Sequence, residues 1–285
     1  LKKARVMTDL EHAPDPKPRP RGIYLLPNIM TTAALFSGFY AIVAAIDGQY
    51  IAACVAVFVA GLFDGLDGRV ARMTNTQSEF GVQYDSLSDL ISFGVAPSII
   101  MYTWSLASLK DYGNFWGKVG WLCAFLYVVC AALRLARFNT QAGVADKRFF
   151  QGLSSPAAAG TMVAFVWCFE DLKRDLGLSG ANFVWFAVPL TITIALLMFS
   201  NFRYYSFKTL PQREGDKVPF NWIAIPVAVL VLIALAPPQA LLAIGIVYVA
   251  SGPVLTLLGK RRFLVRRGAA KPEPKPGDSS IDPRD

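Results

Sequence analysis

The stretch DGLDGRVARMTNTQSEFGVQYDSLSD, residues 64–89, decides how the chain is read, because its four aspartates stand beside an apolar run long enough to cross a bilayer. Asp64 and Asp67 are three residues apart and Asp85 and Asp89 four apart, spacings that put each pair on one face of a helix. On a helix counted from Asp64, Asp67 lies about 60° to one side, Gly68 about 40° to the other, Ala71 about 20° behind and Arg72 about 80° ahead. Gly81, Asp85 and Asp89 follow one another at steps of about 40°. Four carboxylates gathered in apolar surroundings repel one another and lose their water, so they need a positive partner. Hard oxygen ligands of this kind suit Mg²⁺ or Mn²⁺, which a few carboxylates hold together with substrate phosphate oxygens. Two such ions about 4 Å apart would neutralise a pyrophosphate and orient both the attacking and the leaving oxygen. Gly65, Gly68, Ala71 and Gly81 leave room for a ligand or a neighbouring helix at some cost in helix propensity. Residues 64–89 therefore read as a divalent-metal site at a membrane surface.

Outward from that stretch, 54 % of the 285 residues are apolar and 17 % are charged, whereas soluble domains carry about a quarter charged residues. The chain reads as an all-α, polytopic membrane bundle. Its apolar segments run roughly over 28–46, 50–66, 86–107, 119–138, 156–171, 182–201, 221–236 and 240–258, each near the length of a transmembrane helix. Eight spans are expected, good to about one. The segments 156–171 and 221–236 are the short ones, and Pro226, Pro237 and Pro238 leave 221–258 readable also as a re-entrant hairpin. Residues 1–22 and 269–285, polar and rich in proline, are expected to be disordered cytoplasmic tails rather than a secretory leader. A six-helix catalytic body over 23–201, a cytoplasmic connection over 202–220 and a two-helix addition over 221–258 complete the expected organisation.

An even number of spans brings both tails to one side, and the basic residues favour the cytoplasm. With that orientation 24 of the 28 Lys and Arg fall on the cytoplasmic side, and only Lys110, Lys118, Lys173 and Arg174 fall opposite. Residues 64–89 then face the cytoplasm from a multi-pass protein of the plasma membrane. The net charge of +8 is accounted for by topology and by membrane lipids, with Lys260, Arg261, Arg262, Arg266 and Arg267 as a headgroup anchor. No nucleic-acid-binding module is present in the pattern. Cys54, Cys123, Cys130 and Cys168 fall in apolar runs without metal-ligand spacing, and the single histidine, His12, sits in the tail. Thiol chemistry, a histidine base and a histidine-built zinc centre are thereby disfavoured.

The pattern Asp64-x2-Asp67-Gly68-x2-Ala71-Arg72-x8-Gly81-x3-Asp85-x3-Asp89 resembles, without departure, the signature of the CDP-alcohol phosphotransferase family of integral membrane enzymes. That resemblance implies transfer of a phosphatidyl or related group from a CDP-linked lipid to an alcohol, with release of CMP. It implies Asp64, Asp67 and Asp85 as core metal ligands, and Asp89 as both a ligand of a second ion and the catalytic base. Gly68, Ala71 and Gly81 resemble the small residues packed against the cytidine diphosphate moiety, and Arg72 a partner for acidic or phosphate oxygens. The acceptor hydroxyl is a poor nucleophile at neutral pH, which is why a carboxylate base is needed.

Three further stretches resemble the phosphatidylserine synthase branch of that family. They are Leu26-Pro27-Asn28-Ile29-Met30-Thr31, Ala132-Leu133-Arg134-Leu135-Ala136-Arg137-Phe138-Asn139, and Phe150-Gln151-Gly152-Leu153-Ser154-Ser155-Pro156-Ala157-Ala158. The substrates implied are CDP-diacylglycerol and L-serine. Asn28 and Thr31 stand one turn apart, suited to the cytidine base or sugar, although Asn28 as a plain helix cap is an equal reading. Arg134 and Arg137, also one turn apart, suit the serine carboxylate or simple membrane anchoring. Lys147, Arg148 and Arg203 could instead serve a phosphorylated acceptor, so glycerol 3-phosphate or an inositol phosphate remains the alternative. A cation transporter is more distant, because its acidic residues would lie near the membrane midplane rather than at one surface. Small residues in the apolar spans permit tight helix contact or a dimer interface, and the resemblance implies a homodimer.

Overall fold

The computed structural model describes residues 25–74, 78–141, 149–205 and 221–269, which form an all-helical bundle apart from one pair of three-residue strands. In chain order the helices are α1 (Leu25–Ile46), α2 (Tyr50–Met73), α3 (Glu79–Asp89), α4 (Ala96–Trp104), α5 (Asn114–Gln141), α6 (Ser155–Leu176), α7 (Val184–Phe199), α8 (Asn221–Leu235) and α9 (Pro237–Ala269). The strands are β1 (Phe149–Gln151) and β2 (Arg203–Tyr205), antiparallel, with Phe150 opposite Tyr204. The tail expected over 1–22, nearly all of the tail expected over 269–285, most of the 202–220 connection, and Lys147 and Arg148 lie outside the described residues.

Each of the eight apolar segments is helical, and among the described residues six helical stretches are long and apolar enough to cross a membrane. They are Leu26–Ile46, Tyr50–Met73, Glu79–Tyr112, Asn114–Thr140, Gly180–Phe199 and Pro237–Leu257. Helix α6 is not among them because Glu170 and Asp171 lower the hydropathy of its later half. It packs at the centre of the bundle, with Ala158, Ala159, Val163, Ala164 and Val166 fully buried. The 15-residue α8 is simply short. Helix α9 continues to Ala269 rather than stopping near 258, since residues 259–269 hold good helix formers and no proline. Large apolar side chains exposed around the outside, including Phe36, Leu62, Phe125, Leu230 and Val247, form the lipid-facing surface of a multi-pass membrane protein.

Helices α1 and α2 form an antiparallel hairpin closed by Asp47-Gly48-Gln49. Gly48 takes φ 73°, and the amides of Gly48 and Gln49 bond to the carbonyls of Ala45 (3.2 Å) and Ala44 (2.8 Å). These two bonds make the glycine-terminated helix end that lets α2 start at once. Buried Ala41, Ala44, Ala45, Ala53, Ala56 and Ala60 allow the two backbones to approach closely.

Helix α3 leads without a break into a π-helical turn over Leu90–Val95 and then α4, with the Ala96 amide bonded to the Ile91 carbonyl. The widened turn is held from two sides. The Tyr127 hydroxyl of α5 donates to the Phe93 carbonyl (3.1 Å), and the Ser92 hydroxyl donates to the Ala34 carbonyl of α1 (3.2 Å). α1 can come this close only because residue 38 is glycine; a Cβ there would sit 2.8 Å from the Ser92 Cα. At the opposite end of the bundle the Trp104 indole donates to Glu170 (2.8 Å), and its ring stacks on Phe183.

Gly38→Ala is expected to force α1 off the π turn and lower the unfolding temperature in detergent, with an overpacking cost of about 1–3 kcal/mol. Gly61→Ala is the control, because its Cβ would meet only the Phe93 ring at an ordinary 3.6 Å. Thermal unfolding of the two variants side by side checks the contrast.

Candidate active site

Two helix ends carry the acidic residues. No proline interrupts α2 between its apolar half and Met73, and despite Gly61, Gly65 and Gly68 the helix runs on through Asp64 and Asp67. Helix α3 is started by Ser78, whose hydroxyl accepts the Gly81 amide at 3.0 Å and satisfies one of the free N–H groups of the first turn. Asp85 and Asp89 follow on its last turns.

Asp64, Asp67 and Asp85 each offer a carboxylate oxygen within 4.8 Å of the others. Asp67 is buried, and the other two are partly so. Thr31 of α1 donates to Asp67 Oδ2 at 2.8 Å, and the Thr31 carbonyl accepts the Ser88 hydroxyl of α3 at 3.2 Å. One threonine therefore ties three helices together at the base of the acidic cluster. Asp89 lies in hydrogen-bonding contact with Asp64 and in the electrostatic field of Asp85 and Asp67. The donor set fits a hard divalent cation: all the donors are carboxylate oxygens, close enough for one ion with bonds of about 2.0–2.6 Å to bridge them.

The small residues divide into two groups. A Cβ on Gly65 or Gly68 would meet nothing within 4 Å, so the backbone beside Asp64 and Asp67 borders open space. Gly81 is different, since a Cβ there would lie 3.1 Å from Ser78 Oγ and 3.6 Å from Asn28 Oδ1. Ala71 is partly buried near the end of α2, and exposed Arg72 turns its Nε back to the Gly68 carbonyl at 2.8 Å. Asn28 stands inside α1 rather than capping it, because the helix already begins at Leu25. Its carbonyl accepts the Thr32 hydroxyl (2.7 Å), and Thr32 also pairs with the Tyr84 hydroxyl of α3 (3.0 Å).

The two arginines of α5 part company. Arg137 donates from Nη2 to Asn201 Oδ1 at 2.6 Å on the exposed side. Arg134 turns inward, where Nη1 donates to Ser155 Oγ at 2.7 Å and Asp89 lies within its field. Its Nε is buried and has no hydrogen-bond partner among the described residues. Asn139 of α5 bonds Ser86 of α3 at 2.9 Å, bracing the face between the two aspartates.

Sequence reasoning marked Thr31 as a nucleotide contact and missed its bond to Asp67. It also missed Ser88, Tyr84, Ser86 and Ser155. No spacing rule announces these residues, since their partners lie between 21 and 57 positions away in the chain.

The family model for CDP-alcohol phosphatidyltransferase matches residues 24–251. A CDP-diacylglycerol–serine O-phosphatidyltransferase of Helicobacter pylori is 40% identical over 186 residues, covering 65% of this chain and 74% of the relative. The protein of the same name from Mycobacterium bovis is 34% identical over 229 residues, covering 77% of this chain and 73% of the relative. An archaetidylserine synthase of Methanothermobacter thermautotrophicus is 38% identical over 181 residues, covering 63% and 69%. The matched region takes in all four aspartates and the helices that carry them, and the chain belongs to the CDP-alcohol phosphatidyltransferase family.

Proposed function

We propose that this protein transfers the phosphatidyl group of CDP-diacylglycerol to L-serine, giving phosphatidylserine and CMP. The convergence of Asp64, Asp67 and Asp85 beside Asp89 carries the chemical part of the reading. The relatives named for serine transfer support the choice of acceptor.

Asp64, Asp67 and Asp85 would hold Mg²⁺ or Mn²⁺, with Asp89 completing the site for a second ion. When bound, the ions neutralise the pyrophosphate and the charge that develops on departing CMP. Asp89 takes the proton of the serine hydroxyl as its oxygen bonds to the lipid-bearing phosphorus, and the bond from that phosphorus to the CMP oxygen breaks. Thr31 keeps Asp67 oriented through its 2.8 Å hydrogen bond. The open backbone at Gly65 and Gly68 admits the cytidine diphosphate moiety, alongside Ala71, Gly81, Asn28 and Arg72. Arg134, with a buried Nε left for a ligand, receives the acceptor carboxylate, and Arg137 stands at the rim.

The reading includes eight membrane helices with both ends in the cytoplasm, residues 23–201 as the catalytic body and 221–258 as its two-helix extension. It places a homodimer in the plasma membrane with the acidic site facing the cytoplasm, where CMP and serine dissolve. The distribution of basic residues supports that orientation.

Purified protein in detergent with CDP-diacylglycerol and Mn²⁺ is expected to release CMP with L-serine. Glycerol 3-phosphate and inositol phosphate are expected to give little; a preference for either would move the assignment to another acceptor. Asp89→Asn is expected to remain folded and to bind CDP-diacylglycerol while turnover falls about 10²–10⁴-fold. Retention of more than about a tenth of wild-type turnover would remove Asp89 from the role of base.

A further inference from the structure

Helix α9 lies on the outside of the bundle, with Ile246 and Val247 exposed toward lipid, yet it turns one polar ring inward. Tyr248 is in hydrogen-bonding contact with Ser154, and its phenol lies in the electrostatic field of Arg134. Ser154 adjoins Ser155, the residue whose hydroxyl accepts the Arg134 Nη1 bond at 2.7 Å. The ring is fixed from its other side by Tyr204 of β2, 5.5 Å away between centroids. Tyr204 is itself fully buried, seated against Gly252 of α9, and donates to the Val249 carbonyl at 3.1 Å. Burial, together with the neighbouring Tyr248 phenol, pushes the Tyr204 phenol up to about 12, so it stays protonated and remains a donor throughout the physiological range.

Resting on the reading of Arg134 as the acceptor-carboxylate group, we propose that Tyr248 of α9 is a positioning residue for the acceptor, holding Arg134 in place through the Ser154–Ser155 pair. A guanidinium holds five N–H donors in a rigid plane, so its aim is set by whichever donors are already engaged. Ser155 engages one end of that plane. The unpartnered Nε then faces a definite direction, and a buried donor of this kind gains most from an anionic acceptor. Tyr248 keeps the first turn of α6, and hence Ser155, from shifting when the carboxylate arrives. The last helix is by this account part of the acceptor pocket and not an accessory span.

The test is CMP release by the full-length protein in detergent, with L-serine and with L-serinamide, which keeps the hydroxyl and amine but lacks the carboxylate. Tyr248→Phe is expected to raise the KM for L-serine about three- to tenfold, the worth of one hydrogen bond. The KM for CDP-diacylglycerol should stay within about twofold, and the preference for L-serine over L-serinamide should fall by the same factor as the serine KM rises. Arg134→Lys should act in the same direction, and adding Tyr248→Phe to it should cost nothing more, since both changes break one linkage. An unchanged serine-to-serinamide ratio, or an equal loss with both acceptors, would overturn the proposal. If Tyr248→Phe proves unfolded by thermal melting, Ser154→Ala must give the same split, and its failure to do so counts equally against the proposal. Should the wild type ignore L-serine and use another acceptor, the serine reading fails. The role of Tyr248 then stands or falls on whether Tyr248→Phe raises the KM for that acceptor.

Discussion

The fold is built around a repulsion. Three carboxylate oxygens within 4.8 Å of one another would cost about 3 kcal/mol for each ionised pair at an effective dielectric of 20. Summed over the cluster, that is comparable with the whole stability of an ordinary domain, about 5–15 kcal/mol. A bound divalent cation would offset such a term. Without one, the scaffold has to hold the carboxylates together against it. The α1–α2 hairpin, the Thr31 bond to Asp67, the Ser88 bond to the Thr31 carbonyl and the Ser78 cap on α3 do this from different directions.

The helical class and the acidic pairs were legible in the sequence because both depend on local period. Three- and four-residue spacings put Asp64 with Asp67 and Asp85 with Asp89 whatever the tertiary arrangement, and apolar runs mark helices by length. The convergence of the two pairs is not set by that local period; it was expected from the four-aspartate pattern as a whole and its resemblance to the family signature. The π turn after Asp89 was not legible. It depends on Tyr127 and Ser92 meeting partners on other helices, and nothing in LISFGV distinguishes it from an ordinary helix. The central position of α6 was hidden as well, since its apolar run reads like that of any other span.

The small residues show the same limit. Gly38, Gly65, Gly68 and Gly81 look alike in a sequence, but each has a different neighbour. Gly38 admits the backbone of the π turn, Gly81 sits against its own cap, and Gly65 and Gly68 border open space. Only the last two have the surroundings expected of a ligand-facing glycine. Arg134 and Arg137 likewise form a symmetric pair on paper, and only the fold separates the inward arginine from the one tied to Asn201.

The most direct test of this account is a titration of purified protein in detergent with Mn²⁺, followed by the loss of the free-ion electron paramagnetic resonance signal. Saturable binding by the wild type, weakened at least about tenfold in Asp85→Asn, is the predicted result. The same variant without metal should unfold at a temperature no lower than the wild type, because it lacks one of the repelling charges. Undiminished Mn²⁺ binding by a chain with Asp64, Asp67 and Asp85 all replaced by asparagine would contradict the account.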